Sequence, residues 1–384
     1  MTFSRLLTAA VAAFCGLAWA QAPNAPVAPR AALNLETLPR PAVPADPLEI
    51  VTTAQAVENA QQRLDAIASL RKAQTLSNLR AQPYSMKTEF VALGGLASDG
   101  NWVLENISPG PRLYRWTVQG PNYSAVRLFP DGTDGMLYGN QPSDFMPLRL
   151  AQVREALFGV YPAPGPQASI RTATGSLNGQ EQRCVLIAMG AGNRTFSGGR
   201  NWEESEYCMD AATGLLTTYS PAAGLYVHYD YSSALNFHGK TIPAGFTITQ
   251  AGRTVVEARN AVSEPPDAKD PMFTTAGLSA LGVGQGMGLI GPRAVIRMPA
   301  AVPGRPFPRT NEEAVVQVVS LHANVSQDNG LSELEILAST DAGLNDAALQ
   351  QAKAMRLGAL QSQPGTTEQS GHAVFTIEFL TRAQ

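Results

Sequence analysis

The amino-acid sequence predicts an α+β protein, with a leading helix, a curved antiparallel β-sheet and a small β-β-α-β domain at the C-terminal end. Three observations lead to this fold class. Apolar residues recur at the spacing of one amphipathic helix over residues 57–80. Short strand-like runs separated by Gly, Pro, Asp and Asn fill residues 84–263, and residues 314–380 alternate as hairpin, helix and strand.

The composition is that of a folded protein with long loops. Of the 384 residues, 44% are hydrophobic and 15% are charged, and the chain contains 34 Gly and 28 Pro. The apolar fraction is too high for a disordered chain, although the charged fraction is below the roughly 25% of an average domain. The net charge of −3 lacks the basic surplus of a nucleic-acid-binding protein, so no nucleic-acid partner is expected.

The first residues have the pattern of a secretory signal peptide, with Arg5 ahead of an apolar run over residues 6–20. The run ends in an A-x-A pattern, so we expect cleavage between Ala20 and Gln21. It is shorter than the roughly 20 apolar residues that span a bilayer as a helix. We therefore expect a periplasmic protein without a transmembrane helix in the mature chain. Inner-membrane anchoring through the uncleaved run is the alternative.

Two cysteines, Cys184 and Cys208, follow the predicted signal peptide. An even number of cysteines in an oxidising compartment predicts a disulfide bond, which would close a loop of about 25 residues and stabilise the fold by about 3.5 kcal/mol. Two buried free thiols or a redox pair are the alternatives, although the spacing is far from C-x-x-C. Glu203, Glu204 and Glu206 in the same loop are expected to form a solvated turn.

Changes in composition divide the chain into five parts. After the signal peptide (residues 1–20), residues 21–48 form a Pro/Ala-rich linker and residues 49–263 form the β-rich domain with its leading helix. A second linker, rich in Pro and Gly, covers residues 264–311. The small C-terminal domain covers residues 312–384.

The C-terminal domain is predicted from five consecutive segments. They are a strand, a turn, a strand, a helix and a last strand, at Ala314–Val325, Asp328–Gly330, Leu331–Ala338, residues 345–357 and Ala373–Leu380. This order predicts one helix packed over three antiparallel strands.

The same stretch resembles the C-terminal domain of the TonB family of periplasmic energy transducers. The matching residues follow the order of the family pattern: Asp328–Gly330, Ala338–Ser339, Leu344–Leu349, Met355–Leu357 and Phe375–Phe379. The resemblance implies a protein–protein interaction module of the cell envelope, in TonB-type transport or energy transduction. A partner protein of the envelope would add a strand to an exposed sheet edge, with Ala314–Val325 and Ala373–Leu380 as the candidates.

The central region is similar to the half-barrel fold of LolA-type periplasmic lipoprotein carriers. Residues Tyr207–Asp210, Thr213–Leu215 and Gly239–Pro243 have the form of strand beginnings in that group. The resemblance implies a curved sheet around an apolar cavity that holds a lipid, an acyl chain or another apolar ligand. Four tyrosines at mostly alternate positions would line such a groove or belong to ordinary packing: Tyr219, Tyr226, Tyr229 and Tyr231.

The sequence contains no recognisable pattern for catalysis, metal binding or cofactor binding. The histidines form neither H-x-x-x-H nor H-E-x-x-H and are far apart: His228, His238, His322 and His372. The stretch Gly282–Gly288 departs from the dinucleotide fingerprint and is expected to be a connector. We therefore expect no enzyme, no cofactor and no metal. The main hypothesis is a periplasmic interaction module, and the alternative is a carrier or sensor of an apolar ligand.

Overall fold

A computed structural model describes most of the chain after residue 39. The described residues are 40–44, 49–50, 54–110, 112–129, 136–139, 146–159, 164, 168–189, 199–274, 296–308, 314–325, 330–355 and 371–383. The predicted cleavage point at Ala20 and Gln21, most of the first linker and the stretch Gly282–Gly288 lie outside them. No helix among the described residues is long and apolar enough to cross a membrane.

The helices of the described residues are α1 (Ala60–Ala73), α2 (Thr75–Leu79), α3 (Leu148–Phe158) and α4 (Asn345–Lys353). Asn59 begins α1, because its side-chain oxygen accepts hydrogen bonds from the backbone N–H groups of Gln61 and Gln62. Gln74 separates α1 from α2 with a non-helical backbone (φ −80°, ψ 68°). The prediction of one continuous helix over residues 57–80 was therefore wrong. The spacing of apolar residues cannot detect a single non-helical residue between two helices.

Fourteen strands form an open, curved antiparallel main sheet. They are β1 (Glu49–Ile50), β2 (Gln55–Ala56), β3 (Tyr84–Ala92), β4 (Gly100–Gly110), β5 (Leu113–Gln119), β6 (Ser124–Phe129), β7 (Met136–Gly139), β8 (Ser169–Leu177), β9 (Gln180–Ala188), β10 (Glu204–Asp210), β11 (Leu216–Ala222), β12 (Leu225–Asp230), β15 (Gly245–Gln250) and β16 (Arg253–Ser263). The short hairpin of β13 (Leu235–Phe237) and β14 (Lys240–Ile242) is separate.

The main sheet joins two meanders, in the order β1-β8-β9-β10-β11-β12-β15-β16-β3-β4-β5-β6-β7, with β2 also paired with β8. Alternation along β3 buries Met86 and Phe90 on the side that the helices contact, whereas Lys87 and Glu89 are exposed on the other side. We call these the helix side and the outer side. Helix α3 fills the curve of the helix side, and eight of its 11 residues are buried.

The second sheet consists of β17 (Ile296–Ala301), β18 (Ala314–Val325), β19 (Leu331–Ser339) and β20 (Gly371–Arg382), in the order β17-β20-β18-β19. Strand β17, which lies in the predicted linker 264–311, pairs in parallel with β20. The expected sheet of three antiparallel strands therefore has a fourth strand. Because β18 and β20 each have two neighbours, the prediction that Ala314–Val325 or Ala373–Leu380 forms an open edge was wrong.

The outer side of β9 and β10 carries the predicted disulfide bond. Cys184 and Cys208 are directly opposite each other on the two strands, and their sulfur atoms are bonded. The neighbouring Glu204 and Glu206 are fully buried and form ion pairs with arginines, with Arg171 at 2.7 Å in the case of Glu204. The expectation of a solvated acidic turn was therefore wrong, because buried guanidinium groups compensate these charges.

Candidate functional site

A pocket opens on the helix side of the main sheet, between α2, the C-terminal half of α3 and strands β10 to β12. Its walls are mostly aromatic and aliphatic, and include Leu76, Ala156, Tyr207, Leu216, Tyr219, Tyr229 and Tyr231. The empty space, including the part open to solvent, is about 360 Å³, and the centre of a water molecule can move in about 20 Å³ of it. The pocket is therefore narrow, with room for about one water molecule.

Three of the four tyrosines singled out in the sequence lie at this pocket. They are Tyr219, Tyr229 and Tyr231, and the Tyr229 hydroxyl donates a hydrogen bond of 2.7 Å to the backbone carbonyl of Ala156 on α3. Tyr207 is a further wall residue, with its ring 5.0 Å from that of Tyr219. Tyr226 faces the outer side, because it is three residues from Tyr229 on the same strand.

A chain of hydrogen bonds connects this pocket with the second sheet. Oε1 of Glu155 on α3 accepts a hydrogen bond of 2.5 Å from the Tyr219 hydroxyl, and Oε2 lies 2.8 Å from Nε2 of His372 on β20. Nδ1 of His372 lies 2.6 Å from Nε2 of His322 on β18. Nδ1 of His322 lies 3.1 Å from Nε2 of Gln152, which returns the chain to α3.

One arrangement of protons satisfies every step of this chain. Nε2 of Gln152 donates to Nδ1 of His322, and Nε2 of His322 donates to Nδ1 of His372. Nε2 of His372 then donates to the Glu155 carboxylate. Both imidazole rings are neutral in this assignment, which follows from the hydrogen-bond partners.

The pKa shifts of His322 and Tyr219 agree with this arrangement of protons. Burial, the neighbouring His372 and the Arg149 guanidinium hold the pKa of His322 well below its ordinary value. Burial and the Glu155 carboxylate raise the pKa of Tyr219 well above its ordinary value. His322 and Tyr219 are therefore both neutral at pH 7.

The N-terminal half of α3 binds the second sheet through charged side chains. Arg149 makes two hydrogen bonds of 2.6 and 2.8 Å with the Glu335 carboxylate on β19. Glu333 accepts a hydrogen bond of 3.0 Å from the backbone N–H of Leu148, at the positive end of the helix dipole. A Cβ atom at Gly94 would lie 2.6 Å from Arg149, so glycine makes room for this guanidinium. We call these contacts, with the histidine chain, the polar contact.

The pairing of β18 with β20 explains why the two histidines meet although they are far apart in sequence. His322 is opposite Val374, and Asn324 is opposite His372, so the histidines are diagonal neighbours on one face. The sequence analysis treated the histidines as scattered and missed this pair. A signal was present, because Ser320, His322 and Asn324 place polar residues at every second position in the second half of a mostly apolar strand.

The described residues include one group with the composition of a metal site, Cys184, Glu206 and Cys208. Its cysteines form the disulfide bond and therefore offer no thiolate ligand. The pocket and the polar contact have a different chemistry. The pocket has mostly apolar walls, and the polar contact links α3 with the second sheet.

Scans against models of known protein families and against curated proteins find no match. Three similar solved structures come from bacteria. A LolA superfamily protein of Nitrosomonas europaea is 14% identical, with a TM-score of 0.28, over 54% of this chain and 96% of that one. A DUF1329 family protein of Desulfovibrio piger ATCC 29098 is 8% identical, with a TM-score of 0.35, over 56% of this chain and 99% of that one. A putative outer membrane lipoprotein-sorting protein domain of Vibrio parahaemolyticus is 10% identical, with a TM-score of 0.33, over 54% of this chain and 97% of that one.

Proposed function

We propose that the chain is a periplasmic carrier or sensor that binds an apolar ligand in the tyrosine-lined pocket beside α3. The main support is the hydrogen-bond chain from Tyr219 in the pocket wall, through Glu155, to His372 in the second sheet. A ligand that displaces Tyr219 or α3 breaks this chain. Occupancy of the pocket therefore changes the contact between the two sheets.

The pocket has the chemistry that an alkyl chain requires. Ligand pockets are mostly apolar, with a few polar groups that fix the orientation of the ligand, and Glu155 and the tyrosine hydroxyl groups supply these. Because the free space accommodates about one water molecule, binding requires α2 or α3 to move. The non-helical Gln74 between α1 and α2 is a suitable pivot for such a movement.

The main hypothesis from the sequence, a TonB-like module to whose sheet a partner adds a strand, has less support, and the comparisons give no evidence for a TonB C-terminal domain. Within the described residues the outer strands of this sheet are β17 and β19. Strand β17 contains Pro299, which has no N–H group to donate. The pairing of β19 with β18 shifts register twice, and Glu333 has a φ of 49°. Such irregularities are typical of edges that avoid pairing with another chain.

Titration of the full chain with 1-aminoanthracene, a neutral apolar fluorophore, tests the proposed pocket. We expect saturable binding that monolaurin reverses. Leu216→Trp fills the pocket and should lower the affinity at least tenfold, because Leu216 is a wall residue that is 6% exposed. The matched control is Val91→Trp, which adds the same indole on the outer side at a residue that is 37% exposed.

Cooperative thermal unfolding of each variant must accompany the titration, since a tryptophan in the core can prevent folding. If Leu216→Trp does not fold, Leu216→Phe supplies a smaller addition at the same position. Equal fluorophore affinity in folded variants at positions 216 and 91 would show that the pocket is not the binding site.

A further inference from the structure

A second polar cluster lies on the opposite flank of α3, against β4 to β6. Asn106, Trp116 and Arg127 are directly opposite one another on these three strands. Arg154 on α3 lies over this row, with its guanidinium carbon 4.5 Å from the centre of the Trp116 ring. We call these four residues the arginine cluster. The hydrogen-bond chain from the pocket does not include any of them.

Three hydrogen-bond donors of the arginine cluster have no acceptor among the described residues. They are Nε1 of Trp116, Nδ2 of Asn106 and Nε of Arg154. Trp116 and Asn106 are fully buried, and the side-chain oxygen of Asn106 already accepts a hydrogen bond of 2.6 Å from the Tyr114 hydroxyl. Nη1 of Arg154 lies 3.9 Å from the sulfur of Met146, which is a weak acceptor. Buried donors ordinarily have an acceptor, so the cluster fits a ligand that accepts.

The charge of the cluster points to the same kind of ligand. The deeply buried arginines elsewhere each face a glutamate, as Arg149, Arg171 and Arg200 do. Arg154 forms no ion pair with a carboxylate in the described part of the chain. Burial and the guanidinium of Arg154 lower the pKa of Arg127 to about 10, so Arg127 is still charged at pH 7. An anion between them would relieve this repulsion.

We propose that the arginine cluster binds a doubly charged oxyanion of the phosphate monoester type. Guanidinium groups donate in a fork that matches phosphate oxygens, and the indole and amide groups add two neutral donors. Arg154 and Tyr114 are half-buried, so solvent reaches the rim of the cluster. The oxyanion is either free phosphate or the headgroup of an amphiphile, and the headgroup form rests on the proposed function.

Calorimetric titration of the full chain with dodecyl phosphate, monolaurin and inorganic phosphate distinguishes these sources. Arg154→Gln should lower the affinity for dodecyl phosphate at least tenfold. The affinity for monolaurin should change less than twofold, because monolaurin has no charge. Arg154→Lys keeps the charge but loses the fork, so we expect an intermediate loss. The matched control is Arg253→Gln, at an exposed arginine that begins β16. It should change neither affinity.

The indole N–H resonance of Trp116 distinguishes anion binding from a purely structural role of Arg154. If the role were only structural, phosphate would not shift this resonance. Trp116→Phe identifies this resonance in a ¹⁵N spectrum. Dodecyl phosphate or inorganic phosphate should shift it downfield as the N–H gains an acceptor, and the shift should be absent in Arg154→Gln.

The outcomes separate this inference from the proposed function. Dodecyl phosphate binding that is unchanged in Arg154→Gln would overturn the anion site, and so would an equal loss for both amphiphiles, which indicates altered packing of α3. In either case binding of monolaurin by the unaltered chain would leave the proposed function intact. A Trp116 shift with inorganic phosphate, without binding of either amphiphile, would support a free-phosphate site and count against the apolar carrier.

Discussion

Among the described residues, two of the contacts between the second sheet and the rest of the chain differ in chemistry. One is the polar contact with α3, in which Arg149 binds Glu335 and Glu155 binds His372. The other is apolar, and consists of Trp202, Ala223, Val316, Val318 and Leu380. Both contacts use the face of the second sheet that is opposite to α4, because Val316, Val318 and His322 alternate with residues that pack on that helix.

The difference between the two contacts assigns them different roles. Apolar burial stabilises in proportion to area and involves no titratable group, so the contribution of these five apolar residues should not depend on pH. A buried polar network is specific in geometry and costly when one member loses its partner. The polar contact should therefore fix the orientation of α3 and respond to pH and to the ligand.

Trp202→Ala should have the largest effect on stability. Trp202 is 3% exposed, and loss of its ring leaves a cavity in the apolar contact, so we expect a decrease of about 4 kcal/mol in the free energy of unfolding. The decrease should be the same at pH 5.5 and pH 8, since the apolar contact does not titrate. Urea unfolding followed by circular dichroism measures both values.

Trp202→Phe is the control for this variant. It keeps an aromatic ring and removes the indole N–H, which donates a hydrogen bond of 3.0 Å to the carbonyl of Pro41. A decrease of about 1 kcal/mol is expected for the lost hydrogen bond. If Trp202→Ala were no more destabilising than Trp202→Phe, the apolar contact would not hold the sheets together.

Arg149→Met should have a smaller but still large effect, of about 3 kcal/mol. The change leaves the Glu335 carboxylate, with a side chain that is 10% exposed, without its guanidinium partner. Arg149→Met with Glu335→Gln should recover part of this loss, because it removes the uncompensated charge. Urea unfolding of the two single variants and the double variant gives the coupling energy. A coupling energy near zero would contradict a stabilising ion pair.

The sequence predicted the parts of the fold that depend on local patterns. Alternation along Ser85–Leu93 and the even number of cysteines were sufficient to predict a strand and a disulfide bond, and the structure has both, with the strand at Tyr84–Ala92. Strand β17 escaped prediction because Pro and Gly around Ile296–Ala301 resemble a linker. The burial of Glu204 escaped because its partner, Arg171, lies 33 residues earlier in the chain.

The candidate site was predictable in part, for the same reason. Tyrosine spacing within one hairpin placed Tyr219 and Tyr229 on a common side, which a short sequence window shows. The polar contact joins Glu155 with His322 and His372, which come from three distant segments. The sequence around each of these residues has no distinctive pattern. Only the folded structure shows that they are joined by hydrogen bonds.

The dependence of stability on pH is the smallest expected effect and the most direct test of the polar contact. Because the folded pKa of His322 is lowered, the folded chain keeps this ring neutral while the unfolded chain protonates it below about pH 6.5. The unfolded state then binds more protons, so stability falls as the pH falls below that value. For one proton the slope reaches about 1.4 kcal/mol per pH unit.

His322→Gln should remove most of this slope, whereas His238→Gln should leave it. The His238 side chain is 39% exposed, and its Nε2 lies 2.6 Å from Oε1 of Glu264. His238 is therefore not part of the buried polar contact. The groups that face His322 are Gln152, Gln250, His372 and Arg149, and of these the second histidine and the guanidinium oppose a positive charge there. Urea midpoints at pH 7.5, 6.5 and 5.5 measure the slope. If His322→Gln and the unaltered chain lose stability equally on acidification, the pH response does not arise at the polar contact, and the two contacts differ only in polarity.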